Sequence, residues 1–133
     1  MPSAVEIRSR LFELSFAMLM AHELDAVRRQ EWRVLPVTRY LPYPFDVGVF
    51  ILAHVPLIWL VTALAWSADA RTRSRTRTIF CAFCVVQVGL HWLYRADPAY
   101  DFNNPFSVAI IGATGAAGLA YLAARRVVSD RSA

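Results

Sequence analysis

At 133 residues the chain has the length of one domain, and 57% of it is hydrophobic, with a mean hydropathy of +0.40. That balance excludes a disordered chain. It also excludes an ordinary soluble domain, because the apolar residues are gathered into long blocks instead of being spread at amphipathic spacing. The formal net charge of +4 does not point to nucleic acid: the 14 basic residues are all arginine and stand between the apolar blocks, where membrane topology accounts for them.

In chain order the first block, Leu11 to Ala21, is short and is interrupted by Glu13. A secretory signal is the rival reading, but an acid within the apolar run argues against it, so a helix over about 9–30 is expected. Val47 to Trp66 and Phe106 to Ala124 are close to the roughly 20 residues that cross a bilayer as helix, giving helices over about 46–67 and 105–125. Thr78 to Tyr94 reaches that length if Arg77 and Arg95 snorkel, which gives about 77–95 and leaves a short basic loop over about 67–77. The fold class is therefore all-α: a four-transmembrane-helix bundle forming a single integral membrane domain over 1–133. Its expected place is the inner (cytoplasmic) membrane, multi-pass and surrounded by membrane lipids.

Arginine placement orients it. With four spans, the N-terminus, the second loop and the C-terminus share one side with Arg8, Arg10, Arg71, Arg73, Arg75, Arg77, Arg125, Arg126 and Arg131. The other side has Arg28, Arg29, Arg33, Arg39 and Arg95. Both termini are then cytoplasmic.

Ionisable residues inside a span are expensive, and each is a functional-site hypothesis by default. All three histidines, His22, His54 and His91, fall in or at the end of a predicted span. Because successive helices alternate in direction, all three come to the outer leaflet. At about 1.5 Å per residue, His22 and His91 sit ~6–8 Å and His54 ~3 Å outward of the bilayer centre. Asp25 shares a helical face with His22, while Cys84, Gln87 and His91 form one polar stripe that should face the bundle interior. The first outer loop, interrupted by Pro36, Pro42 and Pro44, and the second, "RADPAYDFNNPF", bring Glu31, Asp97, Asp101, Asn103 and Asn104 over the same pocket.

Imidazoles beside carboxylates form the ligand set of a divalent metal, zinc or non-haem iron. His22, His54 and His91 are the expected ligands, with Asp25 as a fourth or as an orienting partner of His22. Glu23 is the expected general base, and Gln87 joins it in the catalytic set. The structural alternative leaves the histidines as helix caps and interhelical hydrogen-bonding groups. Haem between His54 and His91 is the alternative cofactor. The Cys81/Cys84 pair fits small-residue packing. Gly112, Gly115 and Gly118 give the fourth helix a small face for close packing, within the bundle or in a homodimer.

The segments "HELDAVRRQEWRVLP", "HVPL", "GLHWLYR" and "PAYDFNN" together resemble an uncharacterised family of small bacterial four-helix integral membrane proteins with an H-E-L-D-A…E-W-R segment at the end of the first helix. The resemblance covers about Leu11 to Leu122 and implies the fold and the membrane location, but no reaction. The reading that the residues favour is a metal-assisted or acid/base membrane enzyme acting on a lipophilic substrate. A haem electron-transfer protein, a non-catalytic membrane module and a transporter subunit are the alternatives.

Overall fold

The computed structural model describes residues 3–130, with side chains for residues 3–125. Arg131 and the side chain of Arg126, both counted above for orientation, lie outside them. The chain is all-α. Its four long helices are α1 (Ala4–Arg28), α2 (Phe45–Ala65), α3 (Ala70–Tyr94) and α4 (Pro105–Asp130), and two 3₁₀ turns, Glu31–Arg33 and Thr38–Tyr40, lie between α1 and α2.

Three of the helices are long and apolar enough to cross a membrane: α2, α3 and α4 as far as Arg125, with mean hydropathies of 2.3, 1.3 and 1.7. α2 is the most apolar of the three and only 6% of its span is buried inside the protein, which suits a helix solvated by lipid. α1 falls outside this set, because Glu6, Arg8, Arg10 and Glu13 occupy its first half and Glu23, Asp25 and Arg28 its last turns.

Two helix starts lie earlier than the apolar pattern predicts, for the same reason. Ser3 and Glu6 form a capping box, with the Glu6 amide donating to Ser3 Oγ at 3.2 Å and the Ser3 amide to Glu6 Oε2 at 2.6 Å, so α1 begins at Ala4. The Thr72 amide donates to Asp69 Oδ2 at 2.7 Å, and α3 begins at Ala70. The arginine-rich stretch expected as a loop is therefore the first two turns of α3. It contains no glycine or proline to stop a helix. Arg77 ends up tying three helices together: its Nε donates to Ala65 O at 2.9 Å, its Nη1 donates to Ser9 Oγ at 3.1 Å, and its guanidinium lies 4.8 Å from the Phe12 ring centre.

α4 packs along both α1 and α3, while α2 lies to one side against α3 and the two 3₁₀ turns and scarcely touches α1. One apolar core, around Phe12, Leu19, Phe80, Cys81, Cys84 and Tyr121, fills the end near Arg77. A second, around Ala26, Trp32, Phe50, Phe102 and Ile111, fills the opposite end. The two cysteines are buried free thiols.

The small face of α4 is used unevenly. A Cβ at Gly118 would lie 2.6 Å from the Cys81 carbonyl oxygen, and one at Gly115 would lie 2.5 Å from Val88 Cγ2, whereas Gly112 faces open space. Gly115 and Gly118 thus serve close packing of α4 on α3 within one chain. The obstacle at Gly118 is backbone, which no rotamer change can move. Gly118→Leu is expected to cost at least ~1–3 kcal/mol as overpacking, and Gly112→Leu less than about 0.5 kcal/mol. Thermal unfolding of both variants in the same detergent checks this. Equal melting temperatures would remove the packing argument.

A buried histidine and carboxylate cluster

His22, six residues before the end of α1, and His91, in the last turn of α3, are 1% and 7% exposed. Their rings meet nearly at right angles, at 89°, with the two Nε2 atoms 3.3 Å apart. Glu31 closes the group: its Oε2 lies 3.8 Å from His22 Nε2 and its Oε1 lies 3.8 Å from His91 Nε2. It arrives there because Gln30, at φ 57° and ψ 45°, adopts the left-handed conformation that reverses the chain as α1 ends. Phe102, fully buried, packs on both imidazoles.

Two imidazole nitrogens this close cannot both present lone pairs to each other; a proton or a cation must sit between them. In a tetrahedron with metal–nitrogen bonds of ~2.0–2.1 Å, neighbouring donors are about 3.3–3.4 Å apart. The His22–His91 separation fits that edge, and each histidine nitrogen meets a different Glu31 oxygen at a distance a few tenths of an ångström longer. His22, Glu31 and His91 each offer one donor atom, all within 4.8 Å of one another, and the group can hold a metal ion. The remote nitrogen of His91, Nδ1, lies 3.2 Å from the Tyr100 hydroxyl, a contact that would fix the ring's orientation. Among the described residues His22 Nδ1 is buried with no partner, and so is Gln87 Oε1.

The third histidine is held differently. His54 Nδ1 is 2.6 Å from the Phe50 carbonyl oxygen and therefore carries a hydrogen. Its Nε2 is 2.9 Å from Glu23 Oε2, so one further proton is shared between imidazole and carboxylate. His54 is thus engaged on both ring nitrogens and is not among the clustered donors. The same engagement leaves no free nitrogen to face His91 across a haem. Asp25 is also elsewhere: it accepts from Ser107 Oγ and lies 3.6 Å from Arg29 Nε, which ties α1 to the start of α4. Asn104 caps that start, accepting from the Ser107 amide at 3.0 Å.

All three histidines nevertheless border one cavity of about 410 Å³, together with Glu23, Glu31, Gln87 and Tyr100. Its roof is the loop carrying the two 3₁₀ turns. That roof is held by Thr38 Oγ1 donating to Trp32 O at 2.7 Å and by the Arg39–Asp97 ion pair at 3.0 Å. A second link between the same two loop regions, Arg29 to Asp101 at 3.1 Å, is more exposed. Burial, with Glu23 adding repulsion, pushes the Glu31 carboxyl up to about 8. The Tyr100 phenol is raised by burial and then by Glu31, while the Asp97 carboxyl is held low by the Ala99 amide and Arg39.

Glu31 and Tyr100 were not legible as members of the cluster. The sequence puts Glu31 above the pocket with four other loop residues, and nothing in its spacing singles it out. Its signal is the left-handed turn at Gln30, which appears only in three dimensions. Among proteins of known kind, the model of the family of unknown function DUF6713 matches residues 8–128. No curated protein and no solved structure matches the chain.

Proposed function

Because the chain belongs to this family of unknown function, whose membership brings no reaction with it, we propose from geometry alone that it is a four-pass membrane protein with a metal-assisted acid/base site for a lipophilic substrate. The observation that carries the reading is the buried convergence of His22 Nε2, His91 Nε2 and Glu31 from three separate elements. Two histidines and one carboxylate are a catalytic ligand set, for zinc or for non-haem iron, because three protein donors leave a coordination position open. A structural metal site closes with four protein ligands.

Bound there, the ion would supply a Lewis acid for a carbonyl or phosphoryl oxygen. The chain's own residues would do the rest. His91 is oriented by Tyr100, and Glu31 supplies the negative charge. Glu23 and His54, sharing a proton on the wall of the same cavity, take up and return protons. Gln87, buried with an unpartnered amide oxygen, is placed to orient a polar group of the substrate. Elemental analysis of the detergent-purified protein is the test. Zinc or iron near one equivalent per chain is the expected result, and an intact folded protein without metal, unable to bind added zinc or iron, would overturn the reading.

The orientation belongs to the same proposal. Arg71, Arg73, Arg75 and Arg77 lie at one end of α3 and His91 at the other, roughly 20 to 30 Å apart along the axis at about 1.5 Å per residue. Under the positive-inside rule the cluster faces outward, with α1 as the fourth span. A cysteine at Ser74 should be shielded from an impermeant maleimide in intact cells, while one at Ala99 should react. The opposite pattern would put the cluster on the cytoplasmic side.

A further inference from the structure

Below the cluster a second cavity, of about 380 Å³, runs along the gap that α2 leaves beside α1 and α3. Glu23, His54 and Phe83 line both cavities, so the two meet at the Glu23–His54 pair. Beyond that pair the wall is apolar, with Met20, Leu57, Val61, Leu64 and Phe80 along it, and Thr76 is its one other polar residue. From His54 to Leu64 is ten residues of α2, about 15 Å of helix, which is half of a hydrocarbon core ~30 Å thick. The groove is therefore about half a bilayer long, with its ionisable residues at the end that meets the cluster and, Thr76 apart, apolar walls for the rest of its length.

We propose that this groove holds the hydrocarbon chain of a single-chain amphiphile whose oxygen-bearing head reaches the Glu23–His54 pair and the His22/Glu31/His91 cluster. The inference deepens the proposed function and rests on it for the role of the head; the seat of the chain rests on the groove alone. Three features favour this occupant over general lipid solvation. The ionisable residues of the walls stand at one end only, the length suits one extended hydrocarbon chain, and the groove opens directly into the cavity that contains the titratable residues. A soluble polar substrate would leave some fifteen ångströms of apolar groove without a role. A two-chain lipid would have to leave one chain outside it.

The test uses dodecanoic acid carrying a diazirine either next to the carboxyl or at the far end of the chain, photolysed with the purified protein and mapped by mass spectrometry. The expected result is depth-resolved labelling: the carboxyl-end probe near His54 and Phe83, the far-end probe near Val61, Leu64 and Phe80, and both suppressed by excess unlabelled dodecanoic acid. Val61→Trp, which fills the deep end, should abolish the far-end label and spare the other. Leu64→Trp gives the same reading should the first variant not fold. Labelling spread evenly over the exposed faces of α2 and α4, unmoved by competitor and by either variant, would overturn the proposal.

The experiment is run with zinc and with chelator, alongside metal analysis of the same samples. Groove labelling in a protein that binds no metal would sink the metal site and leave the chain site standing. Stoichiometric metal with diffuse labelling would do the reverse.

Discussion

Replacing His91 with alanine is expected to lower zinc affinity by more than about a hundredfold, because even the outer partners of metal ligands are worth ~10–100-fold and His91 is a direct donor. His22→Ala should behave alike. Tyr100→Phe, which removes only the group 3.2 Å from His91 Nδ1, should cost about tenfold. The discriminating variant is His54→Ala. Although His54 borders the same cavity, both of its nitrogens are engaged, by Phe50 and by Glu23, so zinc affinity should stay within about twofold of the parent. Competition titration against a chromophoric chelator measures all four. Loss of zinc in His54→Ala as severe as in His91→Ala would mean that His54 swings into the coordination shell, and the division of the histidines into a pair and a single would be wrong.

Zinc affinity is also expected to depend on pH through Glu31. Burial holds its carboxyl at about 8, above its ordinary value of 4.5, so the empty site keeps that proton at neutral pH. A cation must displace it. Affinity should therefore climb about tenfold per pH unit as pH rises towards 8 and level off above it, with about one proton released per ion bound from this residue. The same sign holds for the metal-free protein. A carboxyl raised in the folded state stabilises that state at acid pH, and this contribution is lost as pH rises from the unfolded value of about 4.5 towards 8. Glu31→Gln should flatten the slope of zinc affinity as well as weaken it. Calorimetry in buffers of different ionisation enthalpy counts the proton directly. An affinity that is flat with pH in the parent would show that Glu31 does not lie in the coordination shell.

The parts of this arrangement that follow from length and direction were readable from the residues. The apolar block at 106–124 falls inside α4 and that at 47–66 overruns α2 by one residue only, and the alternation of helix direction brings all three histidines to one cavity. The stripe Cys84, Gln87 and His91 is buried, as its spacing on α3 predicts. What failed to show was decided by single atoms or by rotation. The Ser3 and Asp69 caps set where α1 and α3 begin, and an apolar-run argument does not register side-chain-to-backbone bonds. The rotation of α2 about its own axis is not encoded in a pattern, since that helix carries apolar residues on every side; His54 could be assigned a depth but not a partner. Asp25 is on the His22 face as the spacing requires, yet Ser107, 82 residues further along the chain, accounts for its hydrogen bond.

The three donors of the cluster stand at positions 22, 31 and 91 of the chain. The first two are close enough to meet as soon as α1 and its reverse turn form, but the third joins only when α3 has been inserted and docked. A partly assembled chain thus offers two ligands, and the finished one offers three. An ion that binds only the finished arrangement lowers its free energy by RT ln(1 + [L]/Kd), about 2.7 kcal/mol at a hundredfold excess over Kd. In such a chain metal supply becomes a term in assembly: scarcity of the ion would leave more of the protein with its third helix unsecured and open to degradation, before any effect on turnover was felt.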